Sequence, residues 1–328
     1  MRRTERAARL EPVHPIGQSR QSSTGLALLT GDELAIARSV LYASLFDYPL
    51  TLAQLRQTLI ESTQTPSEIL SRYSGSAPLR AVIDLRDGFF FPRGREALVE
   101  ERRRREEVSR AFLARHRALL TLVCALPYVK MVALSGSIAH LNLQDGGDLD
   151  LFIVTRGRHV WSVTVTIVLL AKLMHRRRTL CANFVIADAC LALDQQDLFV
   201  ASQIIHLKPL LGRPVYREFL AANPFVGRFY PNFHETGSGV ALVHHHAMFE
   251  RARRALETLL TPAAAVFERL CRVAYRTYLI RRAASWRSHE QVRLEPDCLK
   301  LHTMSHRQSI LERFDRVVRQ TVGTREVD

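Results

Sequence analysis

Two aspartates, Asp148 and Asp150, stand at the head of an apolar run, Leu151-Phe152-Ile153-Val154. In a β-strand, residues i and i+2 point to one face, about 7 Å apart along the chain. The two carboxylates then project together, while Leu149 and Leu151 turn into a core behind them. Carboxylates at that spacing suit divalent cations about 4 Å apart that bridge phosphate oxygens. Mg²⁺ takes few carboxylates and completes its shell with water and substrate phosphates, and Mn²⁺ accepts similar ligands. Upstream, Ser135-Gly136-Ser137 follows the short apolar stretch Val129 to Leu134, and Ile138-Ala139-His140-Leu141 reads as a helix start. A glycine between strand and helix lets the backbone approach a phosphate, and the helix start offers unpaired N–H groups. The Ser137 hydroxyl adds a donor. Either half alone is ambiguous. Gly-Ser occurs at many strand-to-helix turns, and Asp-x-Asp can simply close a loop before a buried strand. Their short separation points to phosphate chemistry.

The elements needed to hold these groups are readable around them. Residues 128–190 predict a compact mixed sheet with flanking helices, the strands being Val129 to Leu134, Asp148 to Thr155 and Leu180 to Asp188. Val160 to Met174 is the longest apolar stretch, but Ser162, Thr164, Thr166 and Lys172 interrupt it. That is too short and too polar for a membrane span, and predicts a helix packed behind the sheet. Arg176-Arg177-Arg178 closes that helix, where cations suit the dipole.

Before this core, residues 27–94 predict three short helices and a hairpin, a winged helix-turn-helix. Asp32 caps the first helix, Thr51 the second, and Thr65-Pro66 opens the third. Leu79 to Leu85 reads as a strand, and Asp87-Gly88 as the turn into Phe89-Phe90-Phe91. The third helix carries one basic residue, Arg72, which is thin for reading nucleic acid. Residues 95–127 predict one long connecting helix, whose Glu100 to Glu107 segment forms i,i+4 pairs on a solvated face. Residues 191–328 predict a helical region: Asp194 to Leu207, Pro214 to Ala222, Val240 to Leu260, Ala263 to Arg282 and Ser305 to Thr321. Residues 1–26 read as a disordered basic tail.

Composition bounds the partners. With 46 Lys+Arg against 32 Asp+Glu, the formal net charge of +14 favours anionic partners, whether nucleotides, nucleic acid or anionic lipid. The five cysteines include no C-x-x-C pair, which argues against zinc and for free thiols in a reducing, cytoplasmic setting. His244-His245-His246 splays around a helix and does not converge on a metal.

Ser135-Gly136-Ser137 … Asp148-Leu149-Asp150-Leu151 resembles the Gly-Ser … Asp-x-Asp signature of the polymerase-beta-like nucleotidyltransferase superfamily. The layout as a whole is similar to bacterial nucleotidyltransferase-domain proteins with an N-terminal winged helix. The resemblance implies an α+β fold and Mg²⁺-dependent transfer of a nucleoside monophosphate from a nucleoside triphosphate to an acceptor, which stays unidentified. It implies that Ser135, Gly136 and Ser137 hold the triphosphate and that Asp148 and Asp150 bind the metal and carry the catalysis. The family often adds a third carboxylate from a later strand. The matching strand here puts Asn183 closest to the pair and Asp188 at its far end, while Asp145 lies in the loop before the pair. Lys300 and His302 are candidate phosphate contacts if their segment folds over the site, and otherwise form a surface turn. Two alternatives follow: a non-catalytic scaffold of the same fold, and a DNA-binding regulator using the winged helix.

Overall fold

The computed structural model describes residues 29–177, 179–235, 247–302 and 306–322. The expected tail 1–26, the 240–246 start of one predicted helix, His244-His245-His246, Arg178 and Ser305 lie outside them.

Three threonine caps shape the first part of the chain. Thr30, Thr51 and Thr65 each accept a backbone N–H three residues on, and Glu33, Gln54 and Glu68 reach back to the cap. These reciprocal boxes start α1 (Gly31–Ser44), α2 (Leu52–Gln57) and α3 (Pro66–Gly75), with β1 (Leu50–Thr51) between the first two. Thr30, not Asp32, caps α1; Asp32 is instead ion-paired with Arg72. The strand expected over 79–85 is largely helical. Ser76 caps α4 (Ala77–Val82), leaving β2 (Ile83–Arg86) and β3 (Phe89–Pro92) as a hairpin. The strands form a three-stranded antiparallel sheet in the order β1-β3-β2 over a core including Ile36, Leu55, Ile69 and Phe90.

The connecting helix is two helices, α5 (Ala97–Arg115) and α6 (Arg117–Cys124), broken at His116, whose ring nitrogen meets the Phe112 carbonyl at 2.8 Å. The expected i,i+4 pairing appears between Arg105 and Glu101, and Arg110 beyond that segment pairs with Glu106, but this face is not all solvated. Arg102 and Arg105 are buried, Arg102 with its guanidinium 3.6 Å over the Tyr48 ring.

The main sheet has six strands in the order β7-β4-β5-β6-β9-β8. β4 (Val129–Ser135) runs into the single-turn α7 (Gly136–Ala139), and β5 (Leu149–Thr155) returns antiparallel beside β4. After α8 (Val160–Leu173), β6 (Leu180–Ala187) lies parallel to β5. The purely helical reading of 191–328 is corrected here, because three strands of this sheet come from that region. α9 (Leu198–Ile205) is capped by Asp197 and leads to β7 (Lys208–Leu211) on one edge. α10 (Arg213–Ala221) and α11 (Phe225–Phe229) follow. α12 (Ala247–Ile280) is one helix running through Pro262, where two were expected. β8 (Val292–Leu294) and β9 (Cys298–Leu301) then close the other edge, and α13 (Arg307–Val322) ends the described chain.

Strand alternation splits the core into two layers. Leu134, Leu149, Leu151, Ile153 and Val185 face α6, α8 and α12, so Leu149 and Leu151 pack as expected. Met131, Phe152, Val154 and Ile186 face α9, α10, α11 and α13. α13 also reaches the first region, with Phe314 edge-on to Tyr42 at 5.1 Å. Among the described residues, no helix is long and apolar enough to cross a membrane.

Candidate metal and nucleotide site

Antiparallel pairing of β4 and β5 sets Ser135 directly across from Asp150, which joins the two halves of the motif. Gly136 has φ +63°, a conformation few side chains tolerate. A Cβ there would lie 2.7 Å from Asp150 Oδ2. The glycine is therefore required twice, by its backbone angle and by the carboxylate filling the space a side chain would need.

Asp148 and Asp150 converge. One oxygen of each, together with Cys181 Sγ, lies within 4.8 Å of the others. Cys181 arrives because β5 and β6 pair Asp150 with Cys181, before a bulge shifts the register ahead of Phe152–Phe184. Asn183, also on β6, donates Nδ2–H to Asp150 Oδ1 at 2.8 Å. Burial, then the neighbouring Asp148 charge, pushes the Asp150 carboxyl up to about 7, against the opposing Asn183 hydrogen bond. Burial and the same two aspartates push the Cys181 thiol well above its usual range, and its soft sulfur suits a hard cation poorly. The donor set is thus two hard carboxylates with excess negative charge, which fits Mg²⁺ or Mn²⁺ better than zinc.

Asp150, Ser135, Gly136 and Asn183 form one end of a cavity of about 580 Å³. Lys300 and His302 line the same cavity, because β9 pairs with β6 and sets Lys300 opposite Phe184. Their segment is a sheet strand and its exit, not a surface turn. Lys300 Nζ donates to Gln195 Oε1 at 2.9 Å and Gln291 Oε1 at 3.0 Å, and lies 5.7 Å from the Phe184 ring centre. Burial and then Lys300 hold the His302 imidazole down at about 4, so it is neutral near pH 7. Ser137 is exposed, and only Ser135 and Gly136 of that triplet reach the cavity wall.

The two acids offered for the third position lie elsewhere. Asp188 is at the opposite end of β6, pairing with Lys130 at 3.0 Å and accepting the Gly157 N–H at 2.9 Å. Asp145 is exposed and faces Arg104 at 3.8 Å. Asn183 holds the place beside the pair. Sequence reasoning missed Cys181, although it stands two residues before Asn183 on the same strand, the period that shares a face. It also missed Arg293 and Arg307, which line the cavity while paired with Asp194 and Asp197. No local signal links those positions to the motif.

Comparison of the chain with protein-family models, with curated proteins and with solved structures finds no match.

Proposed function

We propose that this chain is a Mg²⁺-dependent nucleotidyltransferase, moving a nucleoside monophosphate from a nucleoside triphosphate to an acceptor with release of pyrophosphate. One observation carries the reading: Asp150, converging with Asp148, packs against the Gly136 turn in the wall of a cavity that Lys300 and His302 also line. In this reading the sheet around the site is of the nucleotidyltransferase type. The three capped helices with their hairpin and third short strand are a winged helix-turn-helix.

Asp148 and Asp150 hold the cation. When bound, it neutralises triphosphate charge and eases ionisation of the acceptor hydroxyl. The Gly136 turn lets the phosphate tail approach the backbone closely. Asn183 keeps Asp150 oriented through its amide hydrogen bond. Lys300 places a positive charge on the cavity wall, and His302 supplies a neutral ring beside it. The apolar wall of Phe152, Phe184 and Phe219 suits a nucleobase or an apolar part of the acceptor, and keeps water from the reacting phosphate. The five free thiols support a reducing, cytoplasmic location.

The test is incubation of the full chain with Mg²⁺, each labelled nucleoside triphosphate and cell extract. Label transfer that disappears in Asp148→Ala and Asp150→Ala supports the enzyme; transfer that persists in both removes it. A second reading, a non-catalytic nucleotide-binding scaffold, is favoured by Asn183 standing where a third acid would help remove a proton. It predicts Mg²⁺-dependent nucleotide binding without pyrophosphate release. The DNA-regulator alternative has less support, since Arg72 on α3 is committed to Asp32.

A further inference from the structure

α12 is amphipathic, and its orientation is set by polar contacts rather than by its apolar stripe. Glu268 accepts the Trp161 and Ser162 backbone N–H groups at 2.9 and 2.7 Å, capping the start of α8. Glu257 accepts the Tyr128 N–H at 2.9 Å. Cys271 and Leu279 lie on this same side and enter the core. At 3.6 residues per turn, the opposite side is then Leu259, Val266, Leu270 and Val273, with Leu256 and Phe267 along its flank. All six are exposed, Leu259 by 76% and Leu270 by 63%. Leu169 and Leu173 of α8, the helix packed against α12, are exposed too. So large a run of apolar side chains on one helix face marks an interaction surface.

The charges around it indicate what covers it. Arg269, Arg276 and Arg281 are exposed beside the stripe, and Arg254 and Arg282 are exposed farther round the helix and at its end. The two carboxylates of α12 whose side chains are described, Glu257 and Glu268, are buried against the body of the protein. A second copy of the chain would bring one arginine rim against another, with neither described carboxylate of the helix exposed to pair with them. An anionic bilayer complements both features, since it accepts apolar side chains and attracts the surrounding cations.

We propose that α12 is a membrane-surface helix, docking the protein through its Leu256–Val273 stripe onto bilayers rich in anionic lipid, without crossing them. The surface is on the far side of the helix from the contacts that anchor it, so docking leaves the fold undisturbed. The inference stands apart from any activity of the Asp148–Asp150 site.

The test is co-sedimentation of the full chain with vesicles of phosphatidylcholine alone, or with about 30% phosphatidylglycerol. The anionic vesicles should bind the protein at least about tenfold more strongly than the neutral ones, and high salt should weaken the binding. Leu259→Glu with Leu270→Glu should reduce binding about tenfold or more, as should Arg269→Glu with Arg276→Glu. These positions are exposed, so circular dichroism should be unchanged. As a check on the native surface, Phe267→Trp should show a blue-shifted emission on anionic vesicles only. Three results would overturn the proposal: no binding to anionic vesicles, binding indifferent to the leucine substitutions, or a dimer that those substitutions dissociate while vesicles bind nothing.

Discussion

The single turn α7 separates two clusters of titratable groups that respond to enclosure in opposite ways. At its Gly136 end, burial and like charge hold the Asp150 carboxyl up at about 7, beside Asp148. At its far end, the His140 and His206 rings lie 4.0 Å apart, tilted by 35°, in the wall of a second cavity of about 410 Å³. Burial there lowers both imidazoles, helped by the nearby cations Lys208 and Arg102, and brings His206 to about 4. The histidine pair resolves its problem by staying neutral. The aspartate pair does not, because its charge is only partly suppressed near pH 7. Enclosure of titratable groups is therefore not enough to mark a site. The informative case is an enclosed cluster that still lacks a counter-charge and opens onto a cavity.

The contrast is sharpest as a pH experiment. A carboxyl raised from 3.8 to about 7 contributes stability that is present below 3.8 and lost as pH rises through 7. A histidine lowered from 6.5 to about 4 contributes stability that is present above 6.5 and lost as pH falls through 4. The largest expected effect is at the acid pair. Without metal at pH 7.5, Asp150→Asn should stabilise the fold by about 3 kcal/mol, since it removes an ionised group from a poorly solvated place. Mg²⁺ should raise the melting temperature of the parent protein, and the substitution should abolish that rise. An equal Mg²⁺ shift in parent and variant would remove Asp150 from the metal site. Next, His206→Gln should shrink the loss of stability between pH 7 and 4 by about 2 kcal/mol, followed by denaturant titration at several pH values. An unchanged acid limb would show that the histidine pair is not held neutral.

Gly136→Ala should cost roughly 1–3 kcal/mol, because it combines a strained backbone angle with a clash on the Asp150 carboxylate. Its Mg²⁺-dependent shift should fall along with its melting temperature. Retention of full metal response would separate the turn from the acids. The smallest effect belongs to Asp188→Asn, which breaks a half-exposed pair with Lys130 and should cost about 1 kcal/mol or less, with metal response intact. A lost metal response there would return Asp188 to the site from which its position at the far end of β6 excludes it.

Much of the site was legible because it is local. Asp148 and Asp150 share a face through strand periodicity, and Gly136 stands where a strand turns into a helix. The caps at Thr51 and Thr65 were legible for the same reason, each being complete within four residues. Short elements decided by competing local bonds were harder. Ser76 turned the expected strand at 79–82 into helix, and His116 broke α5 from α6. The strands β7, β8 and β9 were missed because each is short and owes its existence to a partner far away in the chain.

The sequence by itself determined the pair of acids, the glycine turn ahead of them, the apolar strand behind them and the overall basic charge, since each follows from residue type and near-neighbour spacing. Only the tertiary structure decided that Cys181 and Asn183, not a third acid, stand beside the pair, that Lys300 and His302 share its cavity, and that α12 turns its leucines outward. Those outcomes depend on strand register across a bulge and on which helix face the buried glutamates pull inward. Neither is encoded in any short stretch of chain.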